Sequence, residues 1–165
     1  MFARHFIDSL DFARQGRELC GEMAVAEMPK LQDLLVNPQG LVKYSVRGRV
    51  GMDGSPMLEL ALEGSCQLRC QRCLEEMTYP VKLVSHLKLV PENEFDEFSG
   101  EEGEMDSIAA VANLDVQDMI EEEILLSLPF APRHPDGVCR LDAETLNSPE
   151  KNPFMVLSGL KIKNH

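Results

Sequence analysis

From Leu58 to Cys70 the chain alternates without a slip. Leu58, Leu60, Leu62, Gly64, Cys66, Leu68 and Cys70 hold one parity, and Glu59, Ala61, Glu63, Ser65, Gln67 and Arg69 hold the other. Period two is the signature of extended backbone with one apolar and one wet face. The stretch is therefore one long strand, or two strands jointed at Gly64. Similar runs flank it. Val42, Tyr44, Val46 and Val50 share a parity before the turn Gly51-Met52-Asp53-Gly54-Ser55-Pro56, and Tyr79, Val81, Leu83, Leu87 and Leu89 share one after it. Three alternating runs joined by short turns imply an α+β fold, an antiparallel β-meander or barrel-like sheet with one face covered by helices.

The covering helix is best marked at Asn113-Leu114-Asp115-Val116 onward. Asn113 or Asp115 can cap it, acids crowd its first turns where the helix dipole favours them, and Pro129 stops it. Val116, Met119, Ile120, Ile124 and Leu128 follow helical spacing and mark its buried stripe. Before the sheet, Ser9 or Asp11 can cap a short helix, 20–28 can extend as a strand, and Pro29 suits the first turn of a helix reaching Val36. The acidic, glycine-containing stretch 91–112 reads as a mobile connection. Residues 130–151 read as irregular, and 152–160 as a short apolar helix ahead of Lys161 and Lys163.

At 165 residues, with 44% hydrophobic and 27% charged content, the chain suits one domain spanning 1–165 that buries a core without disulfides. No apolar run approaches the roughly 18–20 residues of a membrane span, and the N-terminus lacks the apolar centre of a secretory signal. Five cysteines, an odd number, argue for a reducing compartment. These signs point to the cytoplasm, with no membrane partner.

The net charge of −12 is unevenly spread. Of the 28 acids, 13 fall within 92–123, which holds no Lys or Arg, leaving 15 acids against 16 bases elsewhere. Such a block is ordinarily a solvated surface. Its sharper reading is docking onto a basic protein, with Glu121, Glu122 and Glu123 as candidate partner-binding residues. The wet parity of the sheet carries Lys43, Arg47, Arg49, Arg69, Lys82, His86 and Lys88, partly offset by Glu59 and Glu63. The six Lys and Arg side chains are candidate contacts to RNA backbone. Both tyrosines fall on the apolar parity, so the face offers no stacking platform for single-stranded RNA.

Cys70 and Cys73 form a C-x-x-C pair, half of a zinc site. His134 and Cys139 can supply the other half, giving a closed Cys3His set of structural type. Cys66 fits less well, because its parity sets it among the leucines. The plain alternative is a group of reduced thiols. Redox catalysis would want the first cysteine at a helix N-terminus, and here it ends a strand. No G-x-S-x-G, phosphate loop, H-E-x-x-H or dinucleotide fingerprint is present, so nothing indicates an enzyme or a small-molecule substrate.

The C-Q-R-C turn followed by Leu74, the E-x-E-I-L-L-S-L-P helix end, the His134…Cys139 segment and the terminal N-P-F-x-V-L-x-x-L together resemble the bacterial YceD family, the large ribosomal RNA subunit accumulation proteins. The resemblance covers most of the chain from about residue 40. It matches Cys70 and Cys73 to the family's cysteine pair, and Glu122, Glu123, Leu125, Leu128 and Pro129 to its acidic-aliphatic stretch. Some relatives carry further cysteines after the L-P element, where this chain has only Cys139 with His134. The resemblance implies a non-catalytic role in synthesis, processing or stability of large-subunit (23S) ribosomal RNA. Its implied partners are ribosomal or biogenesis proteins and the large-subunit RNA precursor. The alternative is a zinc- or thiol-dependent RNA-binding or redox-sensing protein built on Cys70 and Cys73.

Overall fold

Two short helices and a pair of single turns cover one face of the sheet, and the apolar parities all turn toward them. The computed structural model describes residues 4–93 and 106–139. In chain order the elements are β1 (Phe6–Ile7), α1 (Ser9–Arg14), β2 (Glu18–Ala24), β3 (Leu35–Asn37), β4 (Leu41–Val50), β5 (Pro56–Arg69), β6 (Glu76–Pro91), β7 (Ser107–Ala110), β8 (Leu114–Asp115) and α2 (Val116–Ser127). Two 3-10 turns, Val25–Glu27 and Pro29–Leu31, lie between β2 and β3. The main sheet runs β2-β4-β5-β6-β7, with β3 beside the far end of β5, while β1 and β8 make a separate pair. Every pairing is antiparallel except β6 with β7. The architecture is the α+β meander expected. It is not a closed barrel, since β2 and β7 do not pair with each other.

The choice at Gly64 resolves as one continuous strand. β4 pairs with β5 from Pro56 to Gly64, and β3 takes over beside Gln67 and Leu68. This explains why the helix expected from Pro29 to Val36 stops after one 3-10 turn. The open edge of β5 draws Leu35–Asn37 into the sheet, and pairing outweighs local propensity. The strand expected over 20–28 runs instead from Glu18 to Ala24, and the stretch expected as a mobile connection contains β7, parallel to the end of β6. Val50, expected on the apolar face, is exposed where β4 ends. The readings of 140–151 as irregular and 152–160 as a helix lie outside the described residues.

The core is the sheet's inner face closed by α2. Val42, Val46, Leu58, Leu60, Leu62, Leu68, Val81 and Leu87 are buried in one cluster with Val116, Met119, Ile120 and Ile124 of α2, with Val25 and Leu31 of the two turns, and with Met28 between those turns. A helix of 12 residues is marginal alone. Its stability comes from packing, about 1.5–3 kcal/mol for each large apolar side chain fully buried. Asp115 caps it, its carboxylate accepting the N–H groups of Gln117 and Asp118. α1, capped by Asp8, crosses β4 at Gly48, where any Cβ would collide with the carbonyl oxygen of Phe12. That close approach buries Phe12 and Ala13.

Candidate metal centre

The hairpin from β5 to β6 closes through Cys70-Gln71-Arg72-Cys73-Leu74-Glu75. Leu74 sits at φ 63, a left-handed conformation that bulky residues seldom adopt. Two hydrogen bonds hold it there, from the Leu74 N–H to the Cys70 carbonyl (2.9 Å) and from the Cys70 N–H to the Glu75 carbonyl (2.9 Å). The turn directs the Cys70 and Cys73 side chains the same way and leaves the Arg72 N–H 3.5 Å from Cys70 Sγ. The Gln71 N–H donates to the Pro132 carbonyl at 2.8 Å, docking the segment after α2 against the hairpin.

That docking brings the second half of the cluster in. Cys70 Sγ lies 3.6 Å from Cys139 Sγ, Cys73 Sγ lies 3.4 Å from His134 Nδ1, and Cys139 Sγ lies 3.6 Å from the same nitrogen. All four donor atoms fall within 4.8 Å of one another. Zinc bound tetrahedrally, at about 2.3 Å from sulfur and 2.0–2.1 Å from nitrogen, requires donor–donor edges of roughly 3.5–3.8 Å. The separations of 3.6, 3.4 and 3.6 Å are close to that size, so the residues fit a tetrahedral ion.

The surroundings tune these donors. Burial pushes the Cys70 thiol up, but the N–H groups around it and Cys139 outweigh that and hold it at about 5. The Cys73 thiol is raised although the hydrogen bond it receives at the Glu75 backbone pulls the other way: burial and the neighbouring sulfurs of Cys70 and Cys139 prevail. His134 is raised by its contacts with Cys139 and Cys70. Its Nε2 faces the Glu76 carbonyl at 3.2 Å. A proton on Nε2 donating there leaves the Nδ1 lone pair turned toward the sulfurs, the tautomer a metal needs. Arg72 spans the cluster: Nε donates to Cys139 Sγ at 3.0 Å, and the guanidinium also reaches the His134 carbonyl and Asp136. Cys66 is buried among leucines, its thiol raised by burial, and stands apart.

Cys70, Cys73, His134 and Cys139, named from sequence as one set, are therefore brought together. Arg72, the Glu76 carbonyl and the strained Leu74 were missed. No glycine marks the left-handed position, and an arginine between two cysteines has no fixed meaning in sequence.

The glutamate trio requires correction. Glu121 and Glu123 are buried, and only Glu122 is exposed. Glu121 accepts the Lys30 N–H at 3.0 Å and the Gln117 side-chain amide at 3.1 Å, and Glu123 accepts the Ser85 hydroxyl at 2.5 Å. Consecutive positions on a helix point in different directions, so a run of three acids wraps the cylinder instead of forming a patch. Glu122 and Asp118 bind the Lys30 ammonium at 2.8 and 2.6 Å.

The wet sheet face is also less basic than its Lys and Arg suggest. β2, loosely placed from sequence, contributes Glu18 and Glu22, which pair with Arg47 at 2.8 Å and Lys43 at 3.6 Å. Glu59 binds Arg49 at 2.8 Å, Asp53 lies 3.9 Å from Lys88, and Glu63 and Glu76 stand directly across from Lys82 and Arg69. Each of the six candidate phosphate contacts has an acid as neighbour, so the face is a charge-balanced lattice. No helix among the described residues is long and apolar enough to cross a membrane.

The family model described as "Large ribosomal RNA subunit accumulation protein YceD" matches residues 58–161, from the second residue pair of β5 past both halves of the cysteine cluster. A Haemophilus influenzae protein of that same description is 28% identical over 178 aligned positions, covering 95% of this chain and 95% of its own. No solved structure matches.

Proposed function

This chain belongs to the YceD family, and from that premise we propose that it is a non-catalytic, cytoplasmic factor for accumulation of the large-subunit (23S) ribosomal RNA, stabilised by a structural zinc at the hairpin corner. The observation that carries the zinc is the convergence of Cys70, Cys73, His134 and Cys139 at tetrahedral separations. When bound, the ion would cross-link the hairpin to the segment after α2. Four protein donors leave no coordination position for water or substrate, which supports a structural and not a catalytic role. The chain's own residues do the remainder: Glu76 fixes the histidine tautomer, and Arg72 offsets thiolate charge.

The acids that meet a basic ribosomal or biogenesis protein belong to 92–106 in this reading, because α2 spends two of its three glutamates internally. A strain lacking the gene tests the role. Sucrose-gradient profiles should show large-subunit particles depleted relative to small ones, restored by the wild-type chain and not by Cys70→Ser, Cys73→Ser. An unchanged profile would refute the accumulation role. Full rescue by the serine variant would refute the need for the metal.

A further inference from the structure

Three rows of side chains cross the wet face of β2, β4, β5 and β6. The registers set Glu22, Lys43, Glu63 and Lys82 in the first row, Cys20, Ser45, Ala61 and Val84 in the second, and Glu18, Arg47, Glu59 and His86 in the third. The outer rows both run acid, base, acid, base in the same direction. A shallow groove runs along the first and second rows, lined by Lys43, Glu63 and Lys82 on one side and by Ser45, Ala61 and the exposed Val84 on the other.

Such a lattice has one consequence for a second copy. A two-fold axis parallel to the strands, lying between β4 and β5, places the copy's β2 over β6 and its β4 over β5. Glu22 then faces Lys82, Lys43 faces Glu63, Glu18 faces His86 and Arg47 faces Glu59, while Ser45 meets Ala61 and Cys20 meets Val84. Every Lys and Arg of the two rows meets an acid, and Glu18 meets the imidazole of His86, which is a cation only when protonated. Turning the axis perpendicular to the strands sets the first row on the third, and every charge meets its like. The same axis carries a twisted sheet onto a surface of matching twist, so the spacing stays even. We propose that this sheet face is a self-complementary docking surface for a second copy of the chain, in the first of these orientations.

Four strands about 4.8 Å apart and three rows deep offer about 400 Å2 on each copy. Twice that is below the roughly 1,200–2,000 Å2 of stable complexes, so the dimer is weak. The net charge of −12 opposes it, but the Debye length is about 8 Å at physiological salt, and acids outside the contact are screened. Most of the acidic excess lies in 92–123, away from these rows in sequence.

Sedimentation of the full chain between about 10 µM and 1 mM should show reversible dimer at the upper end. Lys43→Glu, Lys82→Glu makes the first row wholly acidic, and Glu22→Lys, Glu63→Lys makes it wholly basic. Each variant alone should remain monomeric, with unchanged circular dichroism. Their equimolar mixture should form a heterodimer at least tenfold tighter than the wild-type pair. Monomeric wild type across the range overturns the proposal. So does a wild-type dimer that both variants retain, which would place the contact elsewhere, or a mixture that stays monomeric. RNA-fragment binding that is lost in the acidic variant and strengthened in the basic one, without any dimer, would assign the face to RNA instead.

Discussion

Two polar clusters sit on either side of the helix end at Ser127, and they are built differently. The carboxylates of α2 find donors within the protein: Glu121 takes the Lys30 amide and Gln117, Glu123 takes Ser85, and Glu122 takes the Lys30 ammonium. The cysteine corner gathers three sulfurs and an imidazole nitrogen that face chiefly one another. Buried polar groups that satisfy one another hold a fold by themselves. Donors crowded with like groups at tetrahedral spacing are suited to a shared cation. The first cluster is complete as it stands; the second has the donor set and spacing that a metal ion could complete.

The widest expected gap between them comes from removing ligands. Cys70→Ser, Cys73→Ser should abolish zinc binding and strip hydrogen-exchange protection from 129–139, while amides of β4 and β5 keep theirs. Chelation should reproduce this in the wild type, since metal binding energy of this kind is local folding energy. On the other side, Glu121→Ala leaves the Lys30 amide and the Gln117 side chain without their acceptor and should cost about 1–3 kcal/mol by chemical denaturation, with zinc content unchanged. A smaller effect is expected at Arg72. Arg72→Ala should weaken zinc by about tenfold in chelator competition, as outer-shell partners typically do, and leave global stability nearly intact. Smallest is Glu122→Gln, below about 0.5 kcal/mol in thermal melts, because the pair is exposed. Lys30 is held above the ordinary lysine value by Asp118 and then Glu122. Its contribution is present below the unfolded value of about 10.4 and lost only as pH rises past the raised one. The Glu122→Gln difference should therefore be flat from pH 6 to 9.

The contrast also shows what the sequence could carry. Strict alternation from Leu58 to Cys70 made β5 legible, and Asp115 to Pro129 made α2 legible, because both signals are periodic and local. The 30–36 segment misled because the vacant edge of β5 is a tertiary fact. β7 was hidden in an acidic stretch whose composition spoke louder than Ser107-Ile108-Ala109-Ala110. That Cys70, Cys73, His134 and Cys139 would gather was legible from residue chemistry alone. The supporting parts were not: the hydrogen bonds that hold Leu74 left-handed form only when the hairpin closes, and the contacts of Arg72 and the Glu76 carbonyl with the His134–Cys139 segment form only once that segment docks on the hairpin. The glutamates failed in the opposite way, since charge in sequence was taken for charge at the surface.

Zinc-edge X-ray absorption on protein purified under reducing conditions reads the donor set at Cys70, Cys73, His134 and Cys139 itself. About one zinc per chain is expected, with three sulfur neighbours near 2.3 Å and one nitrogen near 2.0 Å. A folded protein without metal, or a shell dominated by oxygen, would contradict the structural zinc.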